Sequence, residues 1–309
     1  MQTRIYDVVA LGEAMVEFNQ TTPGQAQYLQ GFGGDTSNAS IAAARAGART
    51  AYLTRIGADN FGRLLLQLWA QEGVNTSGVS TASASHTGIY FVTHGSQGHE
   101  FSYLRADSAA SRMTPQWLAG TPTGLIRESR FLHLSAISLA ISAGACDTAF
   151  EAMETAREAG TLVSFDSNLR LKLWPLARAR ACTIQAVSMC DLFLPSLEDM
   201  TTLTGLTEPD QVIDWGHDNG AATVVLKLGA EGARISDGRK RETIAARHVT
   251  VRDATGAGDC FCGNLLARMA KGDDVFHAAA YANAAAALSV QGFGAVNPMP
   301  RSSSVFAVL

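Results

Sequence analysis

Short apolar runs alternate with longer amphipathic stretches along most of the 309-residue chain. Runs typical of buried strands lie at residues 7–12, 50–56, 131–135, 162–166, 192–195 and 223–228. Stretches typical of helices lie between them, at residues 41–48, 61–72, 145–159, 176–188 and 209–219. Repeated strand and helix units predict an α/β fold, with a mostly parallel sheet covered by helices on both faces.

One part of the chain breaks this alternation. Residues 27–32, 87–93 and 100–105 have the pattern of short strands, but polar or glycine-rich segments connect them and no helix is predicted to cover them. We therefore expect a single α/β domain over residues 1–309, with lid strands inserted at about 13–33 and 86–106. An uncovered sheet beside such a core is a candidate lid or a surface for homo-oligomer formation.

Composition and charge exclude several classes of protein. Hydrophobic residues make up 47% and charged residues 17%, which predicts a folded globular chain. The net charge is 24 − 28 = −4 and no long Lys/Arg run occurs, so we expect no nucleic-acid partner. No apolar run is long enough for a membrane span or a secretory signal. Five cysteines without C-x-x-C spacing argue against a disulfide framework and indicate reduced thiols in the cytoplasm.

The segment Asp-Ala-Thr-Gly-Ala-Gly-Asp-Cys-Phe, residues 253–261, carries the strongest chemical signal in the chain. It follows residues 248–251, which have a β-rich composition, and opens a predicted helix. Gly256 and Gly258 allow the backbone to turn sharply and to approach an anion closely. Because the N–H groups and the dipole of a helix start favour negative charge, Gly256, Ala257 and Gly258 are predicted to cradle phosphate oxygens.

Asp259 stands at the same helix start, where the dipole favours an ionised carboxylate that can accept a proton. The alternative for this residue taken alone is a purely structural place in the first helical turn. The chain contains no G-x-x-x-x-G-K-[ST] and no complete G-x-G-x-x-G, so neither a P-loop nor a dinucleotide fingerprint is predicted. It also lacks G-x-S-x-G and H-E-x-x-H.

Three segments in the same order resemble motifs of the ribokinase (PfkB) family over nearly the whole chain. Residues 253–261 resemble its C-terminal signature, residues 33–38 its Gly-Gly…Asn sugar-binding motif, and residues 225–232 its strand and turn at the nucleotide. The resemblance implies a ribokinase-like fold with a β-sheet lid. It also implies ATP with Mg2+ as the phosphoryl donor and Asp259 as the catalytic base.

The resemblance places further residues at the nucleotide and at cations. Those expected at ATP are Ser196, Lys227, Gly229, Gly232, Gly256, Gly258 and Asn283. Many members have Asn-x-x-Glu where this chain has Ser-Leu-Glu-Asp, so either Asp199 or Glu198 is expected to organise Mg2+ through water. Asp253 and Thr255 lie in a loop that resembles the monovalent-ion loops of the family, which makes K+ a candidate activator.

The acceptor side resembles the family members that act on 2-keto-3-deoxygluconate. Segments 31–36, 101–105, 133–138 and 166–170 carry this likeness. That substrate has a carboxylate, which an arginine can bind in a bidentate geometry. The residues expected around it are Gly34, Asp35, Asn38, Tyr90, Tyr103, Arg105, Ile137, Asn168 and Arg170, with Asp259 as the base.

Two alternatives stay open at this point. The first is a kinase of the same family for a neutral sugar such as fructose or ribose, or for a nucleoside, because fold does not determine substrate. The second is a silent relative that binds sugar without catalysis, against which the intact Gly-Ala-Gly-Asp argues. The sequence does not distinguish gluconate-derived from galactonate-derived keto-deoxy acids.

Overall fold

The computed structural model describes residues 4–95 and 98–309. The strands are β1 (Tyr6–Leu11), β2 (Met15–Gln20), β3 (Tyr28–Gly33), β4 (Thr50–Gly57), β5 (Val79–Ala82), β6 (Gly88–Gly95), β7 (Gly98–Leu104), β8 (Ser129–Ser135), β9 (Leu162–Asp166), β10 (Leu192–Leu194), β11 (Thr223–Lys227), β12 (Ala233–Ser236) and β13 (Arg241–Ile244). The helices are α1 (Asp35–Arg45), α2 (Asn60–Glu72), α3 (Pro115–Leu118), α4 (Thr121–Arg127), α5 (Ala136–Ala140), α6 (Ala143–Ala159), α7 (Leu176–Met189), α8 (Leu197–Thr204), α9 (Pro209–Asp218), α10 (Ala257–Ala270), α11 (Val275–Ser289) and α12 (Ser302–Phe306).

Within these residues a nine-stranded sheet has the order β13-β12-β11-β10-β9-β8-β1-β4-β5. The strands from β11 to β5 run parallel, and β12 and β13 add an antiparallel edge. Helices α1, α10 and α11 pack on one face, and α4, α6, α7 and α9 pack on the other. The predicted α/β fold class is confirmed. Its central strands are nearly continuous apolar runs because both of their faces are covered.

A second sheet of four strands has the order β3-β2-β6-β7, and we call it the lid sheet. Strands β2 and β6 pair in parallel, whereas β3 and β7 pair antiparallel at the two edges. The predicted small sheet is therefore present, and β2 joins the strands expected from the sequence pattern. Its pairing buries Glu17 and Asn19, two polar residues that obscure the apolar alternation of β2.

Helices α1 and α10 pack closely at Gly263. A Cβ atom at this position would collide with the backbone carbonyl oxygen of Ala39 on α1, so only glycine allows the observed approach. Alanines continue the contact, with Ala39, Ala42 and Ala43 buried on α1 and Ala267 buried on α10. The close approach brings the N-terminal ends of the two helices together at one edge of the main sheet.

One predicted helix boundary is wrong, and two other segments have a structure that their composition does not indicate. Helix α1 begins at Asp35 rather than at residue 41, because Gly34 adopts a positive φ of 104° that starts the helix earlier. The β-rich residues 248–251 form no strand, since the sheet already ends at β13 and these side chains are largely exposed. The serine-rich residues near the C-terminus form α12, because Val305 is buried against the core and Phe306 contacts the Tyr281 ring.

Among the described residues, no helix is long and apolar enough to cross a bilayer.

The contact at Gly263 leads to a stability prediction. Gly263→Ala should lower the free energy of unfolding by about 3 kcal/mol, because the added methyl group forces α1 and α10 apart. Gly124→Ala is the matched control, since a Cβ there meets no atom within 4 Å. The control should be neutral or slightly stabilising. Chemical denaturation of both variants measures the difference, and equal stabilities would contradict the packing argument.

Candidate active site

Polar side chains converge where the parallel strands of the main sheet end. Strands β8 and β9 end at Ser135 and Asp166, and β11 ends at Lys227. The N-termini of α1 and α10 face the same edge and bring Asp35 and Asp259 to it. Ligands of open α/β sheets bind at the carboxyl ends of the strands, so this edge is the candidate active site.

Asp259 and Asn38 form the central pair of the site. The Asn38 side-chain Nδ2 donates a hydrogen bond of 2.8 Å to Asp259 Oδ2 across the contact between α1 and α10. Burial raises the pKa of Asp259 to about 7, the nearby charge of Asp35 adds to the rise, and the bond from Asn38 opposes it. A carboxylate with a pKa near neutrality is suited to act as a general base.

Two buried oxygen atoms beside this pair have no hydrogen-bond partner in the described part of the chain, Asp35 Oδ1 and Asn38 Oδ1. The other oxygen of Asp35, Oδ2, accepts a 3.0 Å hydrogen bond from Asn168 Nδ2. Buried polar atoms are normally satisfied, so two unpaired acceptors at one place indicate a ligand that donates hydrogen bonds. Hydroxyl groups of a sugar meet that requirement.

The start of α10 is the place where the anion cradle is predicted. No side chain caps the helix, and the Ala257 N–H donates to the Ala254 carbonyl at 3.2 Å, so the N–H groups of Gly258 and Asp259 remain for a ligand. Gly256 has a φ of 74°, and a Cβ there would lie 3.0 Å from Ala295. A Cβ at Gly258 would instead meet only the Lys227 Nζ, at 3.7 Å. The space in front of Gly258 is therefore open enough to receive phosphate oxygens.

Lys227 lies beneath this cradle in a buried polar cluster. Its Nζ donates a 2.7 Å hydrogen bond to Asp166 Oδ1 and contacts the Cys262 Sγ at 3.7 Å. Burial alone would lower the pKa of Lys227, but the Asp166 carboxylate raises it, so the pair is ionised. Sequence reasoning missed a role for Asp166. The signal was an acidic residue that directly ends a buried strand.

His133 belongs to the same cluster and is held neutral. Its Nδ1 lies 3.1 Å from the Ser164 Oγ, and burial lowers its pKa to about 4. Within the described residues, the ammonium group of Lys227 is consequently the cation that this cluster contributes next to Asp166 and Asp259. Burial, with the charges of Asp35 and Asp166, raises the pKa of Asp259, and the charge of Lys227 opposes that rise.

The two carboxylates considered for Mg2+ occupy different environments. Asp199 accepts a 2.8 Å hydrogen bond from the Ser167 Oγ, and its backbone N–H donates to the Ser196 Oγ at 3.1 Å. The charge of Asp199 also acts on Lys227, which places it at the strand-end edge. Glu198 is exposed to solvent. Gly229 and Gly232 form the turn after β11, both with positive φ.

The lid sheet contributes an aromatic wall. The Tyr90 hydroxyl donates a 2.5 Å hydrogen bond to Glu17 Oε2, and its ring lies 5.7 Å from the Tyr103 ring. A Cβ at Gly33 would collide with Tyr90, so the lid and the glycine motif meet directly. Glu17 was not predicted from the sequence. An acidic residue between the apolar residues Val16 and Phe18 was the available signal.

The two predicted arginines have different partners. Arg105 forms a short ion pair with Glu13, and the two side chains are only 11% and 1% exposed. Arg170 is exposed and donates to its neighbouring Leu169 carbonyl, with no ion pair to any described residue. Its charge nevertheless acts on Asp35 and on Tyr103, so Arg170 lies at the mouth of the site.

The remaining predicted residues lie at the border of the site. The Asn283 Nδ2 donates a 2.7 Å hydrogen bond to the Ala245 carbonyl, and its role at the nucleotide stays a prediction. Ile137 is half-buried at the start of α5. Asp253 accepts hydrogen bonds from the backbone N–H groups of Thr255 and Gly294, each at 2.9 Å.

Known proteins resemble this chain over nearly its whole length. The family described as pfkB family carbohydrate kinase matches residues 6–302. The 2-dehydro-3-deoxygluconokinase of Thermoproteus tenax is 34% identical, over 96% of this chain and 92% of its own. The probable fructokinase-4 of Arabidopsis thaliana is 31% identical, over 98% of this chain and 96% of its own. The structure of a Vibrio cholerae fructokinase in fructose, ADP and calcium ion bound form has a TM-score of 0.87 and 28% identity, over 97% and 98% of the two chains.

The open space at Gly258 leads to a prediction about the cradle. Gly258→Val should leave the protein folded, since a Cβ there meets only the Lys227 Nζ, at an ordinary contact distance of 3.7 Å, but should reduce turnover at least about a hundredfold by filling the phosphate position. Gly258→Ala should show a smaller loss. Steady-state kinetics and thermal melts separate the two effects, and a folded valine variant with normal turnover would place the cradle elsewhere.

The raised pKa of Asp259 predicts a pH dependence. The carboxyl is protonated below about pH 7 in the free protein, so kcat/KM should fall about tenfold per pH unit below that value and reach a plateau above it. Asn38→Ala removes a hydrogen bond that lowers this pKa, so the acidic limb should move to higher pH.

Asp259→Asn is the control for this profile. It should bind ATP, lose at least about a hundredfold in kcat, and show no acidic limb near pH 7. An unchanged limb in the asparagine variant would assign the titration to another group.

Proposed function

The chain belongs to the pfkB family of carbohydrate kinases, and we propose that it phosphorylates 2-keto-3-deoxygluconate to 2-keto-3-deoxy-6-phosphogluconate with ATP. Phosphoryl transfer to an alcohol group of a sugar follows from the family. The choice of a sugar acid is the proposal. Relatives named for the acid and for fructose have nearly equal identities, so the argument for the acceptor comes from the site.

The environment of the Arg170 side chain is the observation that supports a sugar acid as the acceptor. Its guanidinium has no carboxylate partner in the described residues, yet its charge reaches Asp35 and Tyr103. A neutral sugar bound beside Asp35 would form no ion pair with a cation at the mouth of the site, in addition to Lys227. An acid needs one, because its carboxylate loses water on entering a closed site and requires a compensating charge.

Arg105 fits the carboxylate role less well than Arg170. Glu13 already neutralises it, and the Ser108 Oγ donates a further hydrogen bond to the same Glu13 carboxylate. Removing either partner of a buried ion pair leaves the other charge uncompensated. We therefore propose that Arg105 chiefly holds the lid sheet to the segment after β1. The Arg105 guanidinium lies 5.9 Å from the centre of the Tyr103 ring, and we propose that it acts on the acceptor indirectly, through that ring.

The catalytic step uses the geometry around Asp259. In the proposed reaction the acceptor hydroxyl attacks the γ-phosphorus of ATP, its proton passes to Asp259, and ADP leaves. Asn38 orients the carboxylate, and the unpaired oxygens of Asp35 and Asn38 accept hydrogen bonds from neighbouring sugar hydroxyls. The N–H groups at the start of α10 stabilise the charge that develops on the transferred group.

The donor side fits ATP with a divalent cation. The uncapped start of α10 and the ammonium group of Lys227 supply positive potential where the phosphates would lie. When bound, Mg2+ neutralises charge on the phosphate oxygens. We propose that Asp199 rather than Glu198 organises this ion through water, because Ser167 and Ser196 hold Asp199 at the edge where the strands end.

Three further expectations remain part of the proposal. Asp253 and Thr255 are the candidates to hold K+ with the loop at Gly294. The five free cysteines suit a cytoplasmic location. Exposed side chains on the lid sheet, Leu29 and Leu104 among them, suit a homo-oligomer formed through that sheet.

The proposal predicts how Arg170 governs substrate choice. Arg170→Ala should raise the KM for 2-keto-3-deoxygluconate about thirtyfold or more, which corresponds to the low end of about 2–5 kcal/mol for an unpaired buried charge. The KM for ATP should change little. Lys172→Ala is the matched control, because Lys172 is an exposed cation two residues further along and should leave both constants unchanged.

A substrate panel completes this experiment. Wild-type protein should strongly prefer the acid to its analogue with the carboxylate reduced to an alcohol, and Arg170→Ala should lose most of that preference. The galactonate-derived epimer belongs in the panel, since the two acids differ at one stereocentre. If wild-type protein phosphorylates fructose or ribose as efficiently as either acid, the neutral-sugar function replaces the proposed one.

A further inference from the structure

The segment of residues 293–299, which we call the 293–299 loop, lies directly behind the anion cradle. A Cβ at Gly256 would be 3.0 Å from both the Cβ and the carbonyl oxygen of Ala295, so the loop packs against the residue that begins α10. The Gly294 N–H donates to Asp253 Oδ2, three residues before Gly256. The loop therefore contacts both sides of the turn that leads into the cradle.

The side chain of Arg45, at the end of α1, donates hydrogen bonds to backbone carbonyl groups of this loop. Its Nη1 lies 2.8 Å from the Val296 carbonyl oxygen and 2.7 Å from that of Met299, and it donates to both. The carbonyl of Asn297 lies 3.5 Å from the same nitrogen. One guanidinium thus serves carbonyl groups on both sides of the bend in the loop.

Glu72, at the end of α2, orients the Arg45 guanidinium. The Arg45 Nε and Nη2 donate to the two Glu72 carboxylate oxygens at 3.0 and 2.7 Å, a bidentate pair. The two side chains are 11% and 9% exposed, so water competes little for these bonds. With both other nitrogens committed to Glu72, Nη1 has a fixed direction toward the loop.

Apolar packing alone does not determine the orientation of the loop peptides. Val296 is buried against the cluster that contains Ile41 and Trp69, which holds the loop in place. The Val296 carbonyl also accepts a 3.2 Å hydrogen bond from the Met299 N–H, whereas the Met299 carbonyl has Arg45 as its one donor among the described residues. A buried carbonyl that lacks a donor is costly, so loss of the guanidinium favours rotation of these peptides toward water. Ala295, which lies against Gly256, directly precedes Val296 in the chain, so a movement of these peptides is passed to it.

We propose that Arg45 is a positioning residue for phosphoryl transfer. Through the 293–299 loop it holds Gly256 in the conformation that aims the first N–H groups of α10 at the transferred group. Arg45 touches neither substrate nor the base. The inference rests on the carbohydrate kinase activity of the family and does not depend on whether the acceptor is an acid or a neutral sugar.

The test compares Arg45→Met with Arg301→Met, assayed on whichever sugar the wild-type protein phosphorylates best. Arg301 also contacts Glu72, at 3.5 Å, but it is 66% exposed and is not bonded to the loop carbonyls. Arg45→Met should lower kcat about tenfold or more while the KM for the sugar stays within about twofold, since the sugar site is not touched. Arg301→Met should retain wild-type kinetics.

Two further measurements separate positioning from simple loss of fold. Arg45→Lys keeps a charge for Glu72 but cannot also serve both carbonyls, so its kcat should lie between those of wild type and Arg45→Met. Added guanidinium ion at millimolar concentrations should restore part of the kcat of Arg45→Ala without changing that of Arg301→Ala. If Arg45→Met does not fold, the lysine variant decides.

Several outcomes would overturn the proposal. These are a folded Arg45→Met or Arg45→Lys protein with wild-type kcat, an equal loss in the Arg301 variant, and a loss of kcat that merely follows the unfolded fraction in thermal melts. A sugar KM that rises as much as kcat falls would also contradict it. Failure of the sugar-acid proposal would leave these comparisons unaffected, because the substrate is chosen by measured activity.

Discussion

The contact between α1 and α10 is the constraint on which the site depends. Each helix begins at the same edge of the main sheet, and Gly263 allows their backbones to approach more closely than any side chain would permit. This approach places the Asn38 amide within hydrogen-bond distance of the Asp259 carboxylate. The small residues along both helices therefore support the candidate site as well as the packing, since a wider separation would break the hydrogen bond between Asn38 and Asp259.

Electrostatics at this edge follow from how few cations the fold supplies there. Asp35, Asp166 and Asp259 approach one another in a buried space, and Lys227 is bound to Asp166. His133 contributes no charge because burial keeps it neutral. Burial and these neighbouring carboxylates raise the pKa of Asp259, and at Asp35 the charge of Arg170 opposes the rise that burial causes.

Side-chain contacts connect the lid sheet and the far ends of α1 and α2 to the candidate site. The lid sheet reaches the glycine motif through Tyr90, and Glu13 fixes the lid arginine Arg105. On the opposite side, Arg45 and Glu72 connect the far ends of α1 and α2 to the loop behind Gly256. Helix α1 thus carries Asp35 and Asn38 of the candidate site at its start and Arg45, which bonds the loop, at its end.

The sequence by itself determined the fold class and indicated where an anion cradle is to be expected, because strand and helix periods, glycine spacing and a helix start are local properties of the chain. It also indicated Asp259 and Asn38, but not that they bond across 221 positions. Only the tertiary structure decided that Arg105 forms an ion pair with Glu13 and that Lys227 forms one with Asp166. The same holds for Arg170, which has no ion-pair partner among the described residues. Pairing and burial depend on residues distant in sequence, so no local pattern encodes them.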